Sequence, residues 1–301
     1  MVNANLIRGF HAGLRALRLD TSNTSEISVL SGSDGGTIFA DVISSSEAGL
    51  HFPRKHLGLP KYENFVILIG AAGSQGLFDW VAGSWGPNPE AKNGALLSVD
   101  ANFKIRSEAE FSSALVVETS FPALDAASKE PGYISIHLRP EFIDLKPGAG
   151  TLSLQFAKQN LWRTANFRLE IDGLDCTKVS KIDAFTVKRD VTTVASGSGG
   201  ISLVPGNVGF PNLRITLANV SANPWHDWHK SFVVDGNNGD AFERNGTIRF
   251  LSNDLKKELS RIELHHLGII RIGPEPGGDQ IARVTAELYC EEMQFSQGVG
   301  P

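Results

Sequence analysis

Period-two alternation of apolar and polar positions runs through most of this chain. From Phe167, "FRLEIDGL" sets Phe, Leu and Ile against Arg, Glu and Asp, then breaks at Gly173; this predicts a half-buried strand. "NLRITLANV" puts Leu213, Ile215 and Leu217 on one side, and "ARVTAELYCEEMQF" does the same with Val284, Ala286, Leu288 and Cys290. "RNGTIRFLS" alternates behind Asn245-Gly246, and "KNGALLSV" behind Asn93-Gly94; Asn-Gly in this setting is a hairpin signal. Two short stretches depart from period two. "NPWHDWHKSF" predicts a helix capped by Asn223 with Pro224 in its first turn, and "GLFDWVAGSW" a second one capped by Ser74. "SNDLKKELSRIELHHLGIIRI" predicts a turn followed by a strand. Residues 21–60 and 186–208, rich in Ser, Gly and Thr and unmatched in length, predict long hairpins or loops reaching away from the cores. Exposed strand arms of this kind can add to a neighbour's sheet edge, and disorder until assembly is the alternative.

The pattern repeats. "NFVILIG" (64–70) aligns with "NLRITLA" (212–218), and Asp79-Trp80 with Asp227-Trp228, both 148 positions on. "KNGALLSV" meets "RNGTIRFL" at 152, "YISIHLRPEFIDL" meets "RVTAELYCEEMQF" at 150, and "LRLD" ending at Asp20 meets "LEID" ending at Asp172. Five blocks in one order predict two tandem domains, 1–150 and 151–301, with turn chemistry at Pro147-Gly148-Ala149-Gly150 between them. The period is far longer than the ~20 to 50 residues of a solenoid.

Composition narrows the function. The 301 residues are 41% apolar and 20% charged, without the run of about eighteen apolar residues that spans a bilayer. The opening residues lack a signal-peptide pattern, so cytoplasmic assembly is expected, and the sequons at Asn23, Asn219 and Asn245 read as chance. A net charge of −5 provides no basic field for nucleic acid, although an acidic channel wall would let DNA pass without holding it. Cys176 and Cys290 read as reduced thiols within half-buried strands.

His226 and His229 stand one helical turn apart and could face a metal. The aligned stretch has Phe78 and Val81 there, however, and retains only Asp-Trp; a packed helix needs that pair and a metal site does not. His265-His266 are consecutive on a predicted strand and so point to opposite faces. The adjacent Glu291-Glu292 are expected to split likewise between water and an interface. The Gly-rich runs lack the GK[ST] of a phosphate loop. No nucleophile, base and oxyanion donor assemble, so no enzyme and no cofactor or metal is expected. A ligand-binding β-sandwich, for example for carbohydrate, using Trp85 and Trp162 as exposed aromatics, is a second function class the residues leave open, and an enzyme using the histidine cluster is a third.

Residues 160 to 296 resemble the tail-tube protein family of contractile phages and phage-like injection systems. The segments that carry it are "NFRLEIDGL", "FPNLRITLANV", "WHDWHKSF", "RNGTIRFLS" and "QIARVTAELYCEEMQF", in that order. The first half follows more loosely through "KYENFVILIG" and "LFDW", and departs at its first strand and in residues 21–60. The resemblance implies a mainly β chain of two tube-like β-barrel or sandwich domains, each with one short flanking helix. Its landmarks are Asp79, Trp80, Asn93, Gly94, Gly173, Asp227, Trp228, Asn245 and Gly246. It also implies six domains to a ring, hence a homotrimer of two-domain chains with pseudo-sixfold symmetry around a channel for DNA or protein cargo. Other tube, baseplate or sheath proteins are the implied partners, and a virion tail or phage-like particle the location.

Overall fold

A computed structural model describes residues 14–20, 25–46, 51–71, 74–152, 162–195, 200–275 and 282–298. The first half of the chain forms β1 (Leu14–Asp20), β2 (Ser25–Leu30), β3 (Gly32–Gly35), β4 (Ile38–Ser45), β5 (Arg54–Tyr62) and β6 (Phe65–Ile69). Helix α1 (Gln75–Ser84) follows, then β7 (Lys92–Val99), β8 (Ile105–Phe121), β9 (Leu124–Asp125), β10 (Ile134–Arg139) and β11 (Phe142–Pro147). The second half forms β12 (Phe167–Ile171), β13 (Val179–Ile182), β14 (Phe185–Ala195), β15 (Ile201–Gly209) and β16 (Leu213–Ala218). It continues with α2 (Asn223–His229), β17 (Arg244–Leu251), β18 (Glu258–Pro274) and β19 (Arg283–Gln297).

The fold is mainly β, and the two halves pair their strands alike. The first runs β1-β7-β8-β10-β6-β3 with β11 also on β8; the second runs β12-β17-β18-β19-β16-β13. β10 and β11 together occupy the place of β19. Pro140 interrupts them because it has no N–H for a ladder, where Cys290 lets β19 run on. Local irregularities recur as well. Phe103 and Leu255, 152 positions apart, both have left-handed backbone (φ 61° and 58°), as do Ser113 and His266 (50° and 55°). Bulges fall between Lys92 and Gly94 and between Arg244 and Gly246.

Those bulges change the reading of Asn-Gly. Neither pair is a hairpin turn; both sit at the start of a strand, in β7 and β17. The Ser113 amide donates to Asn93 Oδ1 at 2.9 Å, and the His266 amide to Asn245 Oδ1 at 3.3 Å, so each asparagine side chain fills a gap the bulge leaves in the ladder. The glycines allow close approach. A Cβ on Gly94 would lie 2.2 Å from the Arg18 carbonyl oxygen, and one on Gly246 2.7 Å from that of Glu170. Gly173, at φ 71°, makes the turn after β12 as its position predicted.

The sheets of the halves are joined. β14 adds antiparallel to the far end of β8 (Phe185 opposite Phe121, Lys188 opposite Glu118), and β9 adds to β13. Phe121 thereby enters the second half's core, stacked 4.9 Å from Phe185 and 5.6 Å from Phe250. α1 lies on β19, with Phe78 and Trp85 5.2 and 5.5 Å from Phe295. Arg189 of β14, itself buried, donates from Nε and Nη2 to the carbonyl of Ser84 at 2.9 and 2.8 Å; Nη2 also reaches Gly86 and Nη1 reaches Gly206. A guanidinium thus satisfies the orphan carbonyls at the C-terminus of α1, where a positive charge also suits the helix dipole.

Two stability outcomes follow. Gly94→Val or Gly246→Val should each cost about 2–4 kcal/mol in urea unfolding, because backbone rather than a flexible side chain opposes the new Cβ. Arg189→Met keeps the buried stem but strands the α1 carbonyls, and should cost about 2–3 kcal/mol. Arg189→Lys should recover only part of that loss, since an ammonium cannot span Ser84, Gly86 and Gly206 together.

Candidate assembly interface

The hairpin that makes the joint inside the chain, β14–β15, has a counterpart in β4–β5. Residues 34–41 read "DGGTIFAD" and residues 183–190 "DAFTVKRD", 149 positions apart. Both hairpins carry a bulge at the same place, between Ala40 and Val42 and between Arg189 and Val191. The hairpins within the Ser/Gly-rich regions are therefore matched, although the regions themselves, 21–60 and 186–208, differ in length because the first also holds β2 and β3. The GSGG run falls at 197–200, and its first three residues lie outside the described ones, as does the Asn23 sequon.

The two hairpins differ in what they touch. β14 is seated on β8, whereas β4–β5 forms a two-stranded sheet of its own. Its apolar side chains point outward: Ile38, Phe39, Val42, Ile43, Leu57 and Leu59 are all exposed, Leu57 by 76%. Tyr62, edge-on to Phe142 at 5.4 Å, stands at the place of Phe210, and Leu145, 60% exposed, at the place of the joint's Phe295. Leu145 borders a groove of about 420 Å³ whose walls include Ser33, Phe65, Leu96 and Ser98.

The acceptor edge recurs too. β8 and β18 are each 17 residues long, but β7 and β17, at eight residues, cover only part of one edge. β14 covers Glu118–Phe121 of β8. On β18 the matching residues are Arg271–Pro274, and no strand among the described residues pairs with them on that side. The apolar Val233 and Val234, just beyond α2, are exposed nearby, where the first half has buried Trp85.

Beside this edge lies a polar cluster that the sequence did not reveal. Tyr289 OH donates to Glu243 Oε1 at 2.6 Å, His266 Nδ1 lies 2.8 Å from Glu243 Oε2, and the exposed Glu291 completes the group. The Glu243 side chain is only 6% exposed. Its hydrogen bond raises the His266 imidazole above the ordinary histidine range, and burial followed by the same carboxylate pushes the Tyr289 phenol upward. Glu243 lies 23 positions before His266, and only strand pairing brings them together. Glu291 matches Glu141, whose carboxylate accepts the Leu203 backbone N–H of the seated hairpin at 2.7 Å.

The residues singled out in the sequence separate into two kinds. Trp80 and Trp228 are core side chains, and Asp79 and Asp227 are exposed on the helices. Trp80 donates to the Glu90 carbonyl at 2.8 Å; Trp228 is instead covered by the Arg244 guanidinium, 4.9 Å from its ring centroid. Neither Ser74 nor Asn223 caps through its side chain. Ser74 is the cap residue but bonds to Ser28, and Asn223 is already the first helical residue. His226 is exposed and His229 half-buried, and neither joins the potential ligand group of Glu243, His266 and Glu291. Trp85 and Trp162 are buried, at 6% and 2% exposure, so neither offers the exposed aromatic face expected of it for carbohydrate. Cys290 is buried in β19, while Cys176 lies in the turn between β12 and β13, not in a strand. Glu291 and Glu292 are both exposed in the single chain, without the expected split.

The chain is similar in structure to components of contractile injection systems. It aligns over 43% of its length with 88% of a chain in the extended sheath–tube complex of the PVC extracellular contractile injection system, at 12% identity and a TM-score of 0.35. It aligns over 50% with 98% of a chain from the anti-feeding prophage baseplate, at 15% identity and 0.33. With Hcp1 from Flavobacterium johnsoniae the shares are 44% and 95%, at 13% identity and 0.27. No model of a protein family matches the chain, and no curated protein does.

Proposed function

We propose that the chain is a structural ring component of a phage-tail-like or contractile injection apparatus. Residues 1–150 and 151–301 act as two tube-like domains of a tandem duplication. Three chains close a pseudohexameric ring around a central channel, which serves as a tube ring or as an adaptor or terminal ring. The reading assigns no reaction to the chain. Its partners are further copies of itself together with tube, baseplate or sheath proteins, and its place is the assembled particle. The tail setting comes from the resemblance carried by residues 160 to 296.

One observation carries the ring. The joint within the chain has a donor hairpin and an acceptor edge, and both recur uncovered among the described residues, the hairpin on the first half and the edge on the second. A donor at one end and an acceptor at the other make a head-to-tail contact, which closes into a ring when the rotation per joint divides the circle. The outward apolar side chains of β4–β5 supply surface for that contact to bury.

Mass measurement and negative-stain imaging test this reading. The expected particle has three times the 32.4 kDa chain mass, about 97 kDa, and six lobes around a central hole. A monomer without a hole at tens of micromolar chain would overturn it.

A further inference from the structure

The open edge of β18 and the acidic groups beside it complement one strand of this same chain. We propose that the start of β4 of a second copy, with the two residues before it, pairs with β18, Gly36–Phe39 running against Pro274–Arg271, and that Glu291 accepts the backbone N–H of that copy's Lys55. This rests on the ring reading and adds a register and a charge pairing to it.

The register comes from the joint inside the chain. Val187 lies opposite Thr119 there, and Lys188 opposite Glu118. Moving the donor back 149 positions and the acceptor forward 153, the spacings of the matched hairpins and of Ser113 and His266, puts Ile38 opposite Ile272 and Phe39 opposite Arg271. The hairpins match from register to bulge, so the transfer continues along β5: Leu203, opposite Thr193, becomes Lys55, opposite Ser44. The Glu141–Leu203 hydrogen bond then becomes Glu291–Lys55.

Charge favours the same occupant. β5 opens with Arg54-Lys55-His56, whereas the seat carries Glu243, Glu291, Glu292 and Asp240. Among the described residues Glu291 accepts no hydrogen bond and Lys55 has no ion-pair partner, and both are exposed. In the joint inside the chain, Glu141 meets an apolar residue, so this pairing belongs to the contact between copies alone. Other substitutions separate the two joints. Ala40 stands where Arg189 caps α1, and Phe39 faces Arg271 where Lys188 bridges Glu118 at 3.2 Å. An exposed Arg271 beside Phe39 suits a cation–π contact.

A cysteine pair tests the register on the full chain. Ile38→Cys with Ile272→Cys, treated with a short thiol-bridging reagent, should run as covalent dimers and trimers on a denaturing gel, and each single variant as monomer. Cys176 and Cys290, held up at about 11 by burial, should stay unreactive near neutral pH. A wild-type trimer whose double variant gives no cross-link overturns the register and leaves the ring intact; a wild-type monomer overturns the ring itself. For the charge pairing, Glu291→Lys, which also removes the acceptor of the Lys55 backbone N–H, and Lys55→Glu should each raise the half-assembly concentration at least about fivefold, and the double exchange should recover the part due to charge, assembling better than Glu291→Lys alone. A double exchange no better than Glu291→Lys alone overturns the pairing.

Discussion

An uncovered strand edge is the constraint on which the rest of this structure depends. β8 and β18 are each about twice as long as the strand that flanks them on one side, so each leaves a stretch of backbone N–H and C=O groups that this flanking strand does not pair. Buried backbone groups have to be paired, and an exposed edge invites another strand to pair with it. On β8 the chain answers this itself with β14, which fuses the two halves' sheets and lets Phe121 stack between Phe185 and Phe250. On β18, Arg271–Pro274 have no such strand among the described residues.

The covered joint and its open counterpart are unlike in chemistry. The first is aromatic and dry: Phe78, Trp85, Phe121, Phe185, Phe250 and Phe295 meet there, and a buried arginine caps α1. At the matching positions of the open faces stand His226, Val233, Pro274, Gly36, Ser98 and Leu145. On the proposed reading these faces wait in water for a partner whose concentration the chain does not set, and such a face cannot present so much aromatic surface without aggregating. Smaller apolar groups ringed by charge suit a contact formed after folding, whereas the aromatic joint forms as part of the fold and is never shown to solvent.

The sequence revealed this architecture where apolar alternation was regular, and hid it where geometry had to intervene. Leu213, Ile215, Leu217, Val284, Ala286, Leu288 and Cys290 all face the core, as period two required. The tryptophan of each Asp-Trp pair is buried, as a packed helix requires. Asn-Gly misled because the same dipeptide serves a turn and a bulge; only the strand opposite, with the Ser113 or His266 amide, decides between them. The hairpin match was obscured by Ser and Gly, since "DGGTIFAD" and "DAFTVKRD" share a backbone path but few side chains. Trp85 and Trp162 looked exposed because their covers, Phe295 and Phe250, are far away in the chain. The Glu243–His266–Tyr289 group was invisible for the same reason.

On the proposed reading, duplication also restricts the rings that can form. A single-domain subunit with a donor hairpin and an acceptor edge can close with any number of copies its rotation permits, odd or even. Here every second joint is built into the chain, tightened by the Arg189 cap and the shared aromatic core. Only even numbers of domains can close, and the open joints must adopt the rotation that the built-in joint imposes. The matched bulges in β4–β5 and β14–β15 fit that demand, since a bulge sets the local twist and hence the angle at which a hairpin leaves its sheet. Their preservation where side-chain identity was lost is what a ring has to maintain, because an error in angle at one joint recurs at every other and would turn closure into an open spiral.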